Sequence, residues 1–370
     1  MRTLILSCNT GGGHNSCARA IQEAYNAHDE RCDVTETLRF VSRSFSHVIE
    51  KGHVFVYRHI PRVFSTGYEY SEKHPALFHE KSGFYHLLGH GAKHLHEYIL
   101  SGGYDTVISV HALSALMLNA VLERYSPDIR TAFVATDYTC SPSTGDSRLD
   151  RYFIPSADLV SEFTTGFITP ERIVVSGIPV RHMFDIATPT DIARREFGVQ
   201  PQHRHIVVMC GSMGCGHIDT VGEMLAEALP DNMELSVVCG TNRHRYTELS
   251  ERFVERKNVH ILGFVKNMSL LMDSADLCVT KPGGLSVSEA AAKHLPLVLM
   301  NAVAGCETHN LDYFVSRGAA VTADTPHALT ELCLSLLADG DKLSAMSDAM
   351  SRAVPEHAAE TVFRTMCGEK

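Results

Sequence analysis

Short apolar runs alternate with longer amphipathic segments along the whole chain, and turns that contain glycine, proline or asparagine separate them. Apolar runs of this kind are typical of parallel strands that helices cover on both faces. The pattern therefore predicts an α/β protein with two parallel sheets. The predicted strands are 3–7, 34–37, 106–110, 131–136, 152–154 and 173–176 in the first half, and 205–209, 235–239, 259–262, 277–280, 297–300 and 320–322 in the second.

Each half begins with a strand that leads into a glycine-rich turn and a histidine, CNTGGGHN at 8–15 and CGSMGCGHI at 210–218. Such turns at the carboxyl ends of parallel strands are where α/β proteins bind ligands. The first turn has Ser16 where a nicotinamide-binding G-x-G-x-x-G motif needs its third glycine, and the second spaces its glycines differently again. Since a Walker A motif is also missing, the sequence disfavours a dehydrogenase or a kinase.

The clearest chemical signal lies in the segment 280–310, TKPGGLSVSEAAAKHLPLVLMNAVAGCETHN. Gly283 and Gly284 allow backbone N–H groups to approach an anion, and the helix that opens near Ser286 adds about half a positive charge at its N-terminus. One turn later, Glu289 is placed to accept hydrogen bonds from a ribose diol. The run predicts a nucleoside diphosphate site, although a plain strand–turn–helix junction is the alternative interpretation.

Composition fits an enzyme of two domains. The chain has 370 residues, of which 44% are apolar, and a formal net charge of −10, which argues against nucleic acid as a partner. Eleven scattered cysteines without a C-x-x-C pair predict reduced thiols in the cytosol. We expect neither a signal peptide nor a transmembrane helix, because no apolar run is long enough. Pro179 interrupts regular structure in GIPVRHMF, so the predicted domains are 1–178 and 185–344.

One segment has a positive net charge, although the chain as a whole is acidic. Residues 39–98 contain eight Lys or Arg against five Glu and hold 11 of the 28 aromatic residues. A basic and aromatic segment in an acidic chain is a candidate contact with an anionic membrane surface. The alternative is a set of amphipathic helices that pack on the first sheet.

Five fragments together resemble one family of enzymes. The segment 280–310, the opening LILSCNTGGGHNSCARAI, and the fragments SVHALSA, VATDYTCSP and SGIPVR are similar to inverting glycosyltransferases that include MurG, the monogalactosyldiacylglycerol synthases and the processive diacylglycerol glucosyltransferases. The resemblance implies a GT-B fold with two Rossmann-like domains across a cleft, and a tail helix at 345–370 that packs back on the first. It also implies transfer of galactose or glucose from a UDP-hexose to 1,2-diacylglycerol, giving a β-glycolipid at the inner face of the cell membrane. No metal or other cofactor is expected.

The resemblance also assigns roles to residues. Asp137 and His14 are the two candidates for the base that deprotonates the acceptor hydroxyl, and we leave the choice between them open. Relatives commonly carry Gly-Gln-Glu where this chain has Gly305-Cys306-Glu307, and a thiol cannot replace the hydrogen bonds of an amide. The acceptor is assigned to Gly12, Gly13 and His111, and the donor to Gly211, Ser212, Gly214, Phe264, Gly283, Gly284, Leu285, Ser286, Glu289 and Glu307.

Other functions fit the sequence less well. A MurG-like transfer of N-acetylglucosamine to a lipid-linked peptidoglycan precursor is disfavoured because the first loop is not GGTGGH. A UDP-sugar 2-epimerase and a non-catalytic UDP-sugar-binding regulator stay as further alternatives. A zinc site among His86, His90, His94 and His96 is disfavoured, since no H-E-x-x-H pattern is present and Gly89-His90-Gly91 predicts a poor helix centre. The sequence Asp339-Gly340-Asp341 is predicted to be a solvated turn.

Overall fold

The structure is a computed structural model that describes residues 1–9, 12–42, 82–209, 218–300, 302 and 305–368. The chain divides into two compact units. Unit 1 comprises Met1–His182, Val303–His309 and Pro355–Lys370, and unit 2 comprises Met183–Ala302 and Asn310–Val354. Within the described ranges, no helix is both long and apolar enough to span a membrane.

Unit 1 is built on one parallel sheet of six strands in the order β2-β1-β3-β4-β5-β6. The chain moves from β1 outward to β2 and then returns to place β3 on the other side of β1. The strand order therefore reverses between β1 and β3, which is where open α/β sheets bind ligands. The elements are β1 (Arg2–Ser7), α1 (Gly12–Ala27), β2 (Arg31–Glu36), α2 (Gly83–Gly102), β3 (Thr106–Ser109), α3 (Ala112–Tyr125), β4 (Arg130–Val134), β5 (Arg151–Ile154), α4 (Val160–Phe163) and β6 (Ile173–Val175).

The helix α2 runs without a break through Gly89-His90-Gly91, so the prediction of a poor helix centre was wrong. Glycine weakens a helix because it loses more conformational entropy on folding than other residues do. Here, however, it also permits close packing. A Cβ at Gly91 would lie 2.9 Å from the methyl carbon of Met117 on α3, and one at Gly89 would collide with the Arg124 guanidinium. Packing against α3 thus outweighs intrinsic propensity.

Unit 2 repeats the architecture with a parallel sheet in the order β12-β11-β10-β7-β8-β9. Here the strand order reverses between β7 and β10. Its elements are α5 (Thr190–Phe197), β7 (Arg204–Met209), α6 (Ile218–Ala228), β8 (Met233–Val238), α7 (Arg243–Arg252), β9 (Val259–Leu262), α8 (Met268–Asp273), β10 (Leu277–Thr280), α9 (Gly284–Ala292), β11 (Leu297–Leu299), α10 (Cys306–Ser316), β12 (Ala320–Thr322), α11 (Pro326–Ala338) and α12 (Gly340–Ala353).

The last helix, α13 (Ala358–Cys367), belongs to unit 1 and packs on α1. The Phe363 ring meets Tyr25 edge-on at 5.0 Å and stacks on His28 at 4.1 Å. Nε2 of His28 also lies 3.0 Å from the Glu360 carboxylate. The aromatic contacts fix this C-terminal helix against the first crossover of the sheet.

Candidate active site

His14 lies in the first turn of α1, because the helix begins inside the glycine run, at Gly12. A chain of polar side chains ties this turn to the end of β1. The Ser7 hydroxyl donates to the Asn15 side-chain oxygen at 2.7 Å, and the Asn15 amide donates to Asn9 at 2.9 Å. The start of α1 is therefore held at the carboxyl end of β1, next to the position where the strand order reverses.

The His14 ring has a defined orientation. Its Nδ1 lies 2.9 Å from the carbonyl oxygen of Val110, which follows β3, and 3.1 Å from the Thr136 hydroxyl, which follows β4. A carbonyl oxygen can only accept, so Nδ1 carries the hydrogen and donates it. In the neutral ring the lone pair is then on Nε2. An imidazole held in this way can take up a proton at Nε2.

His111 lies beside His14 but has a second task. It is the N-cap of α3, and its Nδ1 accepts from the Leu113 backbone N–H at 3.0 Å. The rings of His111 and His14 meet edge-on, with centroids 4.5 Å apart. Capping satisfies one of the free N–H groups of the helix and also fixes His111 against the candidate base.

Asp137 follows β4 and is partly exposed at the same edge of the sheet. The turn after it is firmly held, since both the Thr139 hydroxyl and the Cys140 backbone N–H donate to the Glu162 carboxylate at 2.6 Å. Tyr138 is 2% exposed and anchors the turn in the core. The fold therefore places His14, His111 and Asp137 after three neighbouring strands, β1, β3 and β4.

The start of α10 belongs to unit 1 as well, and it contains the residue that departs from the family pattern. The pKa of the Cys306 thiol is well above its usual range because the surrounding protein desolvates the sulfur, because the carboxylates of Asp137 and Glu307 are near, and because it shares a hydrogen bond with Asp137. Cys306 is thus a neutral thiol at Asp137. Burial raises the pKa of Cys8, in the same unit, to about 12, so that thiol is equally unreactive.

In unit 2, α9 is buried on most of its surface but presents one partly exposed stripe. Gly283, Ser286 and Glu289 lie on this stripe at helical spacing, whereas Leu285 and Ser288 are buried. The Ser288 hydroxyl is used inside the helix, where it donates to the Gly284 carbonyl at 2.7 Å. The stripe begins at the N-terminus of α9 and can face a ligand with Ser286 and Glu289 together.

The N-terminus of α9 suits an anion. Gly283 is its N-cap, no side chain caps the helix, and its first turn has no acidic residue. A Cβ at Gly283 would meet no described atom within 4 Å, so the backbone there is open to approach. The preceding turn is fixed by Asn310, whose buried amide donates to the Pro282 carbonyl at 2.9 Å. Sequence reasoning missed Asn310, because only the fold brings it to Pro282.

The remaining predicted donor residues lie in other parts of the chain, and Glu307 is in the first turn of α10, in unit 1. Phe264 follows β9 and is 70% exposed, and a Cβ on the neighbouring Gly263 would lie 3.9 Å from the Tyr246 ring. The turn that contains Gly211, Ser212 and Gly214 lies outside the described residues. It follows β7, which pairs with β10 in the sheet.

Two of the histidines of α2 make described contacts. Nδ1 of His94 lies 3.1 Å from the Phe40 carbonyl, and the His96 ring stacks on Tyr125 at 4.2 Å. In the part of the chain that the structure describes, no group of three His, Cys, Asp or Glu residues could hold a metal ion. Asp339 is the N-cap of α12 and accepts from the Lys342 backbone N–H at 3.0 Å.

Comparison with known proteins shows which families the chain is similar to. Residues 14–180 match the family model of monogalactosyldiacylglycerol (MGDG) synthase, and residues 205–362 match that of the glycosyltransferase family 28 C-terminal domain. The processive diacylglycerol beta-glucosyltransferase of Staphylococcus aureus (strain Newman) is 24% identical over 99% of this chain and 92% of its own length. Its counterpart in Staphylococcus carnosus (strain TM300) is 29% identical, but the match covers 63% of this chain and only 60% of that protein.

Solved structures agree on the fold. MurG of Acinetobacter baumannii has a TM-score of 0.63 at 13% identity, covering 100% of this chain and 99% of that one. UDP-GlcNAc 2-epimerase of Neisseria meningitidis has a TM-score of 0.62 at 12% identity, covering 100% of both chains. Such low identities support the fold alone, which is GT-B with two Rossmann-like units. The two family models match consecutive parts of the chain, residues 14–180 and residues 205–362. The chain therefore belongs to the inverting glycosyltransferase family that includes MurG and the diacylglycerol glycosyltransferases.

Proposed function

We propose that this protein transfers a hexose, glucose or galactose, from a UDP-sugar to the primary hydroxyl of 1,2-diacylglycerol and so makes a β-glycolipid. One observation carries the proposal. The segment that matches the MGDG synthase model, residues 14–180, contains His14, His111 and Asp137, which the fold gathers at one edge of the first sheet. The S. aureus relatives, whose name states this lipid acceptor, match along nearly the whole chain.

The first step is removal of a proton from the acceptor. A lipid hydroxyl has a very high pKa, so a base within hydrogen-bond reach must take its proton as the new C–O bond forms. Nε2 of His14 and the carboxylate of Asp137 are the two candidates for this base. Gly12, Gly13 and His111 would line the acceptor side, where the start of α1 leaves backbone open.

UDP departs in the same step, as the acceptor oxygen bonds to the anomeric carbon. The bond between the anomeric carbon and the β-phosphate oxygen breaks, and the negative charge that develops would be stabilised by the N-terminus of α9 with the backbone of Gly283, Gly284 and Leu285 and the hydroxyl of Ser286. In this proposal, fixed dipoles handle the leaving charge and no metal is needed. The turn that contains Gly211, Ser212 and Gly214 would contact the same diphosphate.

The nucleoside and the sugar would be read by separate groups. Glu289, one turn along the exposed stripe of α9, would accept hydrogen bonds from the ribose. The backbone around Phe264 would contact the uracil edge, and Glu307 the sugar hydroxyls. Cys306 in place of an amide would alter the contacts available to the sugar, because a thiol is a weak donor and acceptor.

The acceptor determines where the enzyme works. Diacylglycerol lies at the headgroup boundary of a bilayer, so we propose that the protein binds peripherally to the anionic inner face of the cell membrane. The basic, aromatic segment 39–98 would make this contact. Most of that segment, residues 43–81, lies outside the described residues. In its described part, Phe40 and Tyr85 are buried in the core of unit 1.

A panel of radiolabelled UDP-sugars tests the proposal. The purified protein is incubated with vesicles that contain diacylglycerol and, separately, with a lipid-linked peptidoglycan precursor. UDP-glucose or UDP-galactose should label diacylglycerol only. Labelling of the peptidoglycan precursor from UDP-N-acetylglucosamine, or conversion of that nucleotide without any acceptor, would replace the proposal by a MurG-like transferase or an epimerase.

A further inference from the structure

We propose that Thr136 is a positioning residue for His14: its hydroxyl oxygen and the Val110 carbonyl together hold the hydrogen on Nδ1 and so keep the basic lone pair on Nε2. The meaning of this arrangement for catalysis depends on the function proposed above. The arrangement itself does not, because it consists of contacts within unit 1.

The two oxygen atoms come from rigid and adjacent parts of the sheet. Val110 follows β3 and Thr136 follows β4, and these strands pair directly in parallel register. Val110 is completely buried and Thr136 is 8% exposed. Two acceptors fixed on neighbouring strand ends, 2.9 Å and 3.1 Å from one nitrogen, leave the ring little freedom to rotate.

The direction of the hydrogen bonds follows from the carbonyl. If the Thr136 hydroxyl donated to Nδ1, that nitrogen would carry a lone pair, which would face the Val110 carbonyl oxygen at 2.9 Å. Two lone pairs at this distance repel one another. The Nδ1–H group therefore points between both oxygens, as a three-centre hydrogen bond, and the hydroxyl hydrogen of Thr136 turns elsewhere.

This arrangement also prepares the ring to become charged. When His14 takes a proton at Nε2, the positive charge spreads to Nδ1–H, where two oxygen atoms already accept the hydrogen. The ring of His111 packs edge-on against that of His14, and its Nδ1 accepts from the Leu113 N–H. Asp137 follows Thr136 directly, so the residue that orients one candidate base also precedes the other.

The test compares Thr136→Val, which keeps the shape and removes the hydroxyl, with Thr136→Ser, which keeps the hydroxyl. The ¹⁵N chemical shifts of the His14 ring report which nitrogen carries the hydrogen, and no substrate is needed. The wild type should be mainly the Nδ1–H tautomer. Since one hydrogen bond to a neutral group is lost, Thr136→Val should shift the tautomer ratio toward Nε2–H by roughly 3- to 10-fold.

Transfer activity provides the second measurement. Thr136→Val should lower kcat by roughly the same 3- to 10-fold with little change in KM for the UDP-sugar, and Thr136→Ser should restore both tautomer ratio and turnover. A wild-type ring that is mainly Nε2–H, or a Thr136→Val protein with an unchanged tautomer ratio, would overturn the inference. If the wild type transfers no sugar to diacylglycerol, the proposed function fails, whereas the tautomer measurement still decides the role of Thr136.

Discussion

Acidification should destabilise unit 2 through His205, which is fully buried in β7. Its ring nitrogens lie 3.1 Å from the Ser274 carbonyl oxygen and 2.9 Å from the Ser236 hydroxyl. Burial lowers the pKa of His205 from its ordinary value of 6.5 to about 4. Below pH 6.5 the unfolded chain binds a proton that the folded unit excludes, so stability falls as the pH falls through this window. At about 1.4 kcal/mol for each pKa unit, the loss amounts to about 2 kcal/mol between pH 7 and pH 5.

The variant His205→Gln isolates this effect, because glutamine keeps polar atoms at the site but does not titrate. Urea unfolding followed by far-UV circular dichroism suits a chain without tryptophan. A matched control is His327→Gln, since the His327 side chain is 72% exposed. Between pH 7 and pH 5 the wild type and the control should lose about 2 kcal/mol more than His205→Gln. Equal losses in all three proteins would refute the idea that a neutral imidazole is buried here.

Three further predictions concern the active site and the membrane. Asp137→Asn should lower kcat by roughly two to four decades and leave UDP affinity unchanged, because a carboxylate that takes up or stabilises the acceptor proton is lost. Near-normal turnover in a steady-state assay would show that Asp137 does not have this role. Glu289→Ala should weaken UDP binding in calorimetry by roughly 1–3 kcal/mol, because a ribose hydroxyl loses a charged partner, whereas the control Ser288→Ala should bind UDP normally. The double variant Arg58→Glu, Arg62→Glu should sediment less with anionic liposomes, since each basic side chain near the surface contributes about 1 kcal/mol. Wild-type sedimentation, without salt dependence in either protein, would show that this segment is not the membrane contact.

Much of the fold could be predicted from the sequence, because parallel strands that are buried on both faces consist of continuous apolar runs. The runs at 106–110, 205–209 and 277–280 correspond to β3, β7 and β10. The edge strand β2 is less visible. The strand β2 begins at Arg31, three residues before the predicted start, because an edge strand can carry polar residues such as Asp33, which accepts a hydrogen bond from the Tyr104 hydroxyl.

The candidate site divides in the same way. The turn before α9 could be predicted because its glycines, its serines and Glu289 are contiguous in sequence. The contacts of Thr136 with His14 and of Asn310 with Pro282 could not, because they join residues 122 and 28 positions apart. The capping role of His111 was missed for another reason, since histidine is not among the residues that favour an N-cap. Functional residues that are close together in the sequence can be recognised from one sequence. The contacts that orient their side chains depend on the order of the strands in the sheet.

The central claim is tested most directly by the linkage in the lipid product. The purified protein is given a UDP-hexose and 1,2-diacylglycerol in vesicles, the organic phase is extracted, and the anomeric proton of the product is measured by NMR. The account predicts a hexosyl-diacylglycerol with a β-linkage, formed with inversion of the α-configured donor. An organic phase without glycosylated diacylglycerol, or a product with an α-linkage, would contradict it.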